Sequence, residues 1–344
     1  MRRAQLTVLG ALVLALLVPA SAAAQSKGDV QRKVVGGHAA SITQYPWQAA
    51  VFVDGEQICG GSLLTSRIVI TAAHCVFDTD PDCPHPVCNS LTDPPPGDGT
   101  SRLDADDVSV MLGSTTLDGP QTPVVGVSYR SNYNPDFNSP GVPQFDVGYL
   151  VLSSGSAQTP IKIAGTDEGA LWDPGSPVDI TGWGDTSESG GAPFALRAAS
   201  VQVIDDGTCS SDYGGDFDPS TMICAGFQSG GVDTCAGDSG GPLEAPQSAG
   251  GYRLVGITSW GEGCAEPGFP GIYTRVADTT LSPLIASDVA SLESQFGLPQ
   301  EAIFAAAATP AKSAKKPFAK CKRIRDKKKR KRCVKKVKNK LKTA

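Results

Sequence analysis

Short apolar runs separated by turn residues make up the chain from residue 34 to about residue 276. Such runs occupy residues 48–53, 68–70, 108–112 and 254–257. Many short strands, without long helices between them, predict an all-β sandwich or barrel. The length of 344 residues corresponds to about two domains. After the strands, apolar residues recur at spacings of three and four from Leu281 to Phe296, which predicts one amphipathic helix.

The N-terminus has the three-part pattern of a secretory signal peptide. Basic residues at positions 2 and 3 precede a 13-residue apolar run over 6–18 and small residues at 22–24. The alternative is a membrane anchor, but 13 helical residues cover only ~20 Å of a ~30 Å hydrocarbon core. We therefore expect residues 1–24 to be removed and the protein to be secreted, with no transmembrane segment. The ten cysteines are then expected to be mainly disulfide-bonded.

The net charge of −5 hides opposite charges in different parts of the chain. Residues 1–33 carry +4, residues 34–311 carry −26 and residues 312–344 carry +17. We call residues 312–344 the basic tail, and expect a linker over residues 291–311. The tail is either a solvated charge run or a segment that binds anionic polymer, a membrane surface or nucleic acid. Cys321 and Cys333 would lie ~18 Å apart on one helix, so a disulfide between them requires a hairpin.

Two segments carry residue types suited to catalysis. Among the histidines His38, His74 and His85, only His74 ends a strand-like run, in Thr71-Ala72-Ala73-His74-Cys75. The second segment is Gly237-Asp238-Ser239-Gly240-Gly241-Pro242. Flanking glycines can leave a serine hydroxyl exposed on a sharp turn, with backbone N–H groups pointing the same way. An ordinary glycine-rich loop does the same, so this segment indicates catalysis only when it is considered together with His74.

Together these segments resemble the trypsin/chymotrypsin family of serine proteases. The resemblance covers residue 34 to about 276. It includes Val34-Val35-Gly36-Gly37, Phe145-Asp146-Val147-Gly148-Tyr149-Leu150 and Ser259-Trp260-Gly261-Glu262-Gly263-Cys264. The chain order His, Asp, Ser is also that of the family. The resemblance implies two antiparallel six-stranded β-barrels with the active site between them, and a short C-terminal helix, within a protease domain over residues 34–290.

The resemblance implies a catalytic triad of His74, Asp146 and Ser239. A serine hydroxyl is a poor nucleophile near neutral pH, so His74 would take its proton while a buried Asp146 holds the imidazole. The backbone N–H groups of Gly237 and Ser239 would receive the developing oxyanion. Ser259 would donate a further hydrogen bond to Asp146.

The surroundings of Asp146 depart from the family pattern. The family usually has a small polar residue before this aspartate and Ala-Leu after the next aliphatic residue, where this chain has Phe145 and Gly148-Tyr149. Asp136 and Asp167 are the nearest alternatives, although neither precedes a comparable apolar run.

Substrate preference is also implied by the resemblance. The residue six positions before the nucleophile, Asp233, would lie at the base of the primary specificity pocket. A buried carboxylate there needs a cation, so the pocket would select Arg or Lys. Gly261 and Gly271 match pocket-wall positions that must stay small, and Trp260 belongs to the same substrate-binding segment. We expect a monomeric endopeptidase acting on proteins or peptides with Arg or Lys at the cut site. The alternative is a catalytically silent homologue that serves as a surface-anchored binding or adhesion protein.

Activation by proteolysis is a further expectation. Residues 25–33 would form a propeptide, and cleavage after Lys33 would free the amine of Val34. In the family this ammonium inserts beside the aspartate preceding the nucleophile, here Asp238, and orders the oxyanion hole. Because the cut site is itself basic, self-activation is expected.

The resemblance implies the disulfides Cys59–Cys75, Cys209–Cys224 and Cys235–Cys264. Cys83 and Cys88 are expected to pair within an inserted loop over residues 78–99. Zinc ligation by Cys83, His85 and Cys88 is the sharper alternative, but one histidine in a secreted context fits it poorly. The carboxylates of residues 78–82 have the spacing that opens a calcium loop and lack its glycine and closing glutamate. We therefore expect no cofactor, with calcium as the open alternative.

Overall fold

Strands dominate the structure, as the short apolar runs predict. The computed structural model describes residues 34–78, 101–136, 138–305 and 327–340, and all of them belong to one compact unit. The strands are β1 His38–Ala39, β2 Gln48–Val53, β3 Glu56–Leu63, β4 Ile68–Thr71, β5 Phe77–Asp78, β6 Ser101–Arg102, β7 Val108–Leu112, β8 Gln121–Tyr129, β9 Gly148–Leu152, β10 Lys162–Ile163, β11 Pro177–Gly182, β12 Arg197–Val203, β13 Met222–Gly226, β14 Pro242–Pro246, β15 Tyr252–Trp260 and β16 Gly271–Arg275. The α-helices are α1 Asp206–Tyr213, α2 Ser282–Gln295 and α3 Lys327–Lys340.

The first barrel is closed and has the strand order β2–β3–β4–β9–β8–β7. Its neighbours are antiparallel, so that Ala50 of β2 pairs with Gly60 on one side and with Met111 on the other. Strand β9 is buried along its whole length. That burial explains why the sequence after Asp146 is an unbroken apolar run rather than an alternating one.

The second barrel has the order β12–β11–β14–β15–β16–β13. It closes where Gln202 and Val203 of β12 pair with Gly226 and Ala225 of β13. Two short strands are added at its edges: β1 pairs antiparallel with β12, and β10 pairs parallel with β15. The prediction of two closed six-stranded antiparallel barrels is confirmed.

Polar side chains join the barrels across their interface. The indole nitrogen Nε1 of Trp47 donates to Oε2 of Glu244 at 2.6 Å, and Thr181 Oγ1 donates to Gln48 Oε1 at 2.5 Å. Glu244 is fully buried, and burial holds the pKa of its carboxyl well above the usual range. A neutral acid at this position can stay hydrogen-bonded without the cost of a buried charge.

The predicted C-terminal helix is present as α2, with a proline in its first turn and Gly297 in the left-handed conformation after its end. It is fastened to the first barrel by Asp288. Both carboxylate oxygens of Asp288 accept from Nη1 of Arg130 at 2.7 Å, and the hydroxyl of Tyr149 donates to one of them at 2.8 Å.

Residues 297–304, which we call the C-terminal strap, continue from α2 along the barrels. Glu301 accepts from the backbone N–H of Ser66 at 3.0 Å, and the N–H of Ile163 donates to the carbonyl of Ile303 at 2.9 Å. Ile303 is buried. The linker expected from residue 291 therefore needs correction, because buried apolar contacts and backbone hydrogen bonds keep the chain packed through residue 304.

The strap lies at one end of the barrels. Ser66 precedes β4, whose other end leads into His74. Ile163 of β10 pairs beside Leu254 near the start of β15, and β15 ends at Trp260, six residues or ~20 Å further on. The strap is therefore at the end opposite to His74 and Trp260.

Several expectations fall outside the described residues. They are the signal peptide, the propeptide with Lys33, the cysteines Cys83, Cys88 and Cys321 with His85, and most of residues 78–82, the open calcium alternative. Of the basic tail, the structure describes α3, in which ten of fourteen residues are Lys or Arg, and it records Cys333 as disulfide-bonded. Among the described residues, no helix has both the length and the apolar character needed to cross a membrane.

Candidate active site

His74 sits on a short 3₁₀ turn, Ala73–Cys75, at the end of β4. The disulfide Cys59–Cys75 ties this turn to β3, with 6.2 Å between the Cα atoms. Nδ1 of the imidazole lies 2.8 Å from Oδ2 of Asp146, and the backbone N–H of His74 donates to Oδ1 at 2.9 Å. The histidine side chain is about a third exposed. It is therefore held on one side and open on the other.

Asp146 is buried, at 1% exposure, and its carboxylate is fully hydrogen-bonded. Besides His74, Ser259 donates to it through Oγ at 2.6 Å, as the resemblance implies. Thr274 Oγ1 donates to the backbone carbonyl of Asp146 at 3.0 Å. The alternatives Asp136 and Asp167 are both exposed. Of the three candidate aspartates, the structure brings Asp146 to the histidine.

Electrostatics keep Asp146 ionised and make His74 more basic. Burial alone would raise the pKa of Asp146, but the neighbouring imidazole and the hydrogen bonds from His74 and Ser259 outweigh it and lower that pKa below its usual range. Burial alone would lower the pKa of His74, but the charge and hydrogen bond of Asp146 raise it above its ordinary value. Such a pair can accept a proton on the imidazole and stabilise the cation that results.

Phe145, which departs from the family pattern, has an unusual backbone conformation. Its φ is +54°, in the left-handed region that small polar residues and glycine tolerate better than an aromatic one. Gln144, the residue before Phe145, pairs through its backbone with Asn134. Its side-chain nitrogen also donates to Asp218 Oδ2, in the second barrel, at 2.6 Å. These bonds hold the strained turn that delivers Asp146.

His74 and two cysteines lie as close together as the ligands of a metal site, but the cysteine sulfurs are not in a form that binds a metal. Ligand atoms of Cys59, His74 and Cys75 lie within 4.8 Å of one another. Zinc binds cysteine as thiolate, whereas both of these sulfurs are in one disulfide. The cluster therefore does not fit zinc.

The segment around Ser239 is shaped by glycines. Gly237 and Gly240 have φ values of +89° and +81°. A Cβ atom on Gly240 would lie 2.1 Å from Oγ1 of Thr71, so a larger residue cannot be accommodated. The carbonyl oxygen of Ser239 lies 3.6 Å from Sγ of Cys75, the residue after His74. The structure thus brings the serine segment of the second barrel against the histidine turn of the first.

Asp238 points away from solvent and is almost fully buried. Its Oδ1 accepts from the N–H of Gly184 at 2.8 Å, and its Oδ2 accepts from the N–H of Cys235 at 3.1 Å. Burial raises the pKa of this carboxyl to about 7. A Cβ on Gly184 would come within 2.4 Å of the carboxyl carbon, which explains the glycine at that position.

A pocket of ≈ 160 Å³ opens beside Ser239, and Asp233 is among its lining residues. Ser259, Trp260, Gly261 and Gly271 line the same pocket. All residues expected to bind substrate are therefore brought together.

Asp233 is 4% exposed and accepts from the N–H groups of Thr234 at 2.8 Å and Ala265 at 3.2 Å. Burial raises its pKa to about 7. A Cβ on Gly271 would lie 2.5 Å from Oδ1 of Asp233, whereas one on Gly261 would meet nothing closer than 3.8 Å. Gly271 is thus required by the carboxylate itself, and Gly261 leaves open space.

Val34 is fully buried, and the residue after it joins the pocket segment. Val35 forms a β-bridge with Asp233, whose N–H donates to the carbonyl of Val35 at 3.2 Å. A Cβ on Gly36 would lie 2.5 Å from the carbonyl of Gly231. The residues just after the expected cleavage point therefore pack against the segment that carries Asp233.

The three disulfides implied by the resemblance are present. Cys209–Cys224 and Cys235–Cys264 join Cys59–Cys75, with Cα separations of 6.4 and 5.3 Å for the first two. Cys235–Cys264 ties the serine segment to the pocket wall.

Some residues of the site could not be found from the sequence. Gln57, Gly184, Ala265 and Thr274 each donate to or pack against a residue named above, and none stands in a motif. Their partners lie between 32 and 180 positions away along the chain. No local signal marks contacts of this kind.

Comparison with known proteins agrees with the fold. Residues 34–282 match the family model described as Trypsin. The chain is 36% identical over 247 residues to a protein named Trypsin from Saccharopolyspora erythraea, covering 71% of this chain and 93% of that one. It is 35% identical over 251 residues to Trypsin-1 of Astacus astacus, covering 71% and 95%. It is 35% identical over 246 residues to Serine protease 56 of Mus musculus, of which only 37% is covered.

The chain therefore belongs to the trypsin family of serine proteases. It is a serine endopeptidase, and its substrates are proteins.

Proposed function

We propose that the protein is a secreted endopeptidase that cleaves after Arg or Lys, with Ser239, His74 and Asp146 as its catalytic triad. The observation that carries this proposal is the buried carboxylate of Asp233 in the same pocket as Ser239. A side chain that ends in a cation and reaches Asp233 would bring the following peptide bond beside the serine.

In the proposed reaction, Ser239 Oγ attacks the substrate carbonyl and His74 takes the hydroxyl proton. The open side of the imidazole serves this purpose, because Nδ1 is already directed at Asp146. The tetrahedral intermediate places its negative charge on the former carbonyl oxygen, which the N–H groups of Gly237 and Ser239 receive. His74 then protonates the leaving amine, and water releases the acyl group by the reverse sequence. Only side chains, backbone amides and water take part in these steps.

The preference for a basic side chain follows from electrostatics. An ionised Asp233 in this buried pocket is costly without a partner, and a guanidinium or ammonium supplies one. A Phe or Leu side chain would leave the carboxyl unpaired, or protonated, beneath an apolar group. The same pocket would therefore discriminate against apolar substrates.

Zymogen activation is part of the proposal. Cleavage after Lys33 would give Val34 a free ammonium, and the buried Asp238 would be its partner. The packing of Val34–Gly36 against the Asp233 segment supports this coupling. Because the cut follows a lysine, the enzyme would accept its own propeptide.

Secretion and tail binding complete the proposal. The N-terminal pattern and the disulfides support export from the cell. With ten cations on fourteen residues, α3 would bind an anionic polymer or surface, and the enzyme would act as a monomer.

Reaction with a fluorophosphonate probe tests the proposed nucleophile. The probe should label Ser239 of the full protein, and Ser239→Ala should abolish both labelling and hydrolysis of Arg substrates. A catalytically silent homologue would leave wild type unlabelled. A tenfold or greater preference for Phe or Leu chromogenic substrates over Arg ones would contradict the role of Asp233.

A further inference from the structure

Strand β3 of the first barrel contacts Gly237 and Ser239 of the second barrel, the two residues proposed to bind the oxyanion. The side-chain Nε2 of Gln57 donates to the carbonyl of Gly237 at 3.0 Å. Three residues along the same strand, the backbone N–H of Gly60 donates to the carbonyl of Ser239 at 2.7 Å. The carbonyl groups of both oxyanion residues are thus held from one strand.

We propose that Gln57 is a positioning residue for the oxyanion hole. It does not touch substrate, and acts by holding the peptide unit between Gly237 and Asp238, which adjoins the N–H of Gly237 at the Gly237 Cα atom. The inference rests on the assignment of Gly237 and Ser239 made under the proposed function.

The need for such a bond lies in Gly237 itself. Its φ of +89° belongs to a region that glycine enters freely, and glycine has no side chain with which packing could hold it. The carbonyl of Gly237 shares a planar peptide unit with the N–H of Asp238. That N–H donates to the carbonyl of Cys235 at 3.0 Å, and the bond from Gln57 restrains the same unit from its other side. The side-chain nitrogen of Gln57 lies 3.0 Å from the carbonyl oxygen of Gly237 and 3.0 Å from the carbonyl of Cys59. With both hydrogens engaged, the amide is fixed within its own strand and presents one donor to Gly237.

The second contact has a different basis. Gly60 donates through its backbone, so only a proline, which would also disrupt the strand, removes that bond directly. A Cβ on Gly60 would lie 3.0 Å from Cα of Gly241, which shows how closely the strand approaches the serine segment. Gln57 is therefore the side chain of β3 through which the contribution of this strand can be tested.

The test separates the oxyanion hole from the specificity pocket. A peptide arginine aldehyde forms a hemiacetal with the serine and places an oxygen in the hole, whereas benzamidine occupies only the cationic pocket. Gln57→Leu and Gln57→Glu remove the donor at nearly constant side-chain length. Removal of a direct donor costs about 10²–10³-fold in kcat, so loss of a positioning bond should cost about tenfold. We expect kcat on an Arg amide and affinity for the aldehyde to fall together, with KM and benzamidine affinity unchanged.

Gln228→Leu is the matched control. The Gln228 side chain likewise donates through Nε2, in one hydrogen bond to Asp212 at 2.8 Å, and it is more exposed than that of Gln57. It should leave every readout unchanged. If Gln57→Leu lowers aldehyde and benzamidine affinity equally, or lowers neither, Gln57 does not position the hole. If wild type neither hydrolyses the Arg amide nor labels at Ser239, it is the proposed function that fails, and that outcome is separate.

Discussion

Three buried aspartates lie around the catalytic centre, and they differ in the groups that donate hydrogen bonds to their carboxyls. Asp146 receives hydrogen bonds from the backbone and ring of His74 and from Ser259, and its pKa is lowered. Asp233 and Asp238 accept chiefly from neutral backbone N–H groups, and burial raises the pKa of each to about 7. Within the described part of the chain, the ion pairs do not include either of them.

The carboxylate of Asp146 thus has its charge-stabilising partners within the fold, whereas Asp233 and Asp238 have no cationic partner among the described residues. The imidazole of His74, which becomes a cation when it takes a proton, lies beside Asp146 in the first barrel. The fold alone therefore stabilises the charge of Asp146. Under the proposed function, the carboxyls of the second barrel would gain their charge when a cation arrives from elsewhere: a substrate side chain at Asp233 and a freed N-terminus at Asp238. Substrate recognition and activation would then depend on the same event, the pairing of a buried carboxyl group with an incoming cation.

The largest effect on catalysis is expected from removing the charge of Asp146. Asp146→Asn should lower kcat by about 10⁴-fold, because the imidazole loses both its orientation and the charge that stabilises its protonated form. The pKa governing the low-pH limb of kcat/KM should fall in any residual activity. Asp167→Asn is the control, since that side chain is exposed, and its kinetics should match wild type. Equal losses in the two variants would contradict the assignment of Asp146.

A smaller effect is expected at Asp233. Asp233→Asn should lower kcat/KM for Arg substrates by about 10²–10³-fold, the cost of leaving a buried cation unpaired. In wild type, benzamidine affinity should weaken as the pH falls below about 7, because the carboxyl must lose its proton to pair with the amidinium. Inhibition constants measured from pH 5 to 9 test this. A flat profile in wild type, or the same slope in Asp233→Asn, would contradict the mechanism.

The smallest effect concerns Asp238 and appears in stability. A carboxyl whose folded pKa is raised to about 7 loses stabilising free energy as the pH rises from about 4, where the unfolded chain ionises first. Pairing with the ammonium of Val34 should lower that pKa and remove the slope. Cleaved protein should therefore gain in melting temperature over uncleaved protein between pH 4 and 7.

The comparison can be made without catalysis. Ser239→Ala and Ser239→Ala/Lys33→Gln proteins receive the same lysine-specific protease, which can free Val34 only in the first. Other accessible lysines, including those of the tail, are shared by both. If the difference in melting temperature does not change with pH, Asp238 is not the partner of the new N-terminus.

The sequence was informative wherever one residue type in a short segment determines the chemistry. His74 and Ser239 stood in such segments, and the short apolar runs predicted an all-β fold. The assignment of Asp233 and the arrangement in two barrels depended on the family resemblance. The conformation of Phe145 was not predictable, because a positive φ at an aromatic residue depends on the Gln144 contacts with Asn134 and with Asp218 in the other barrel. The extent of packed chain after α2 was missed for a related reason. No local pattern marks Glu301 and Ile303, because their partners Ser66 and Ile163 are distant along the chain.

The position of that strap determines how the enzyme can be held. It fixes the chain at the end of the barrels opposite to His74 and Trp260, and the basic tail follows from there. A protease bound to a surface through this tail would turn its catalytic face outward, toward solution. Its substrates would then be proteins in solution rather than the surface itself.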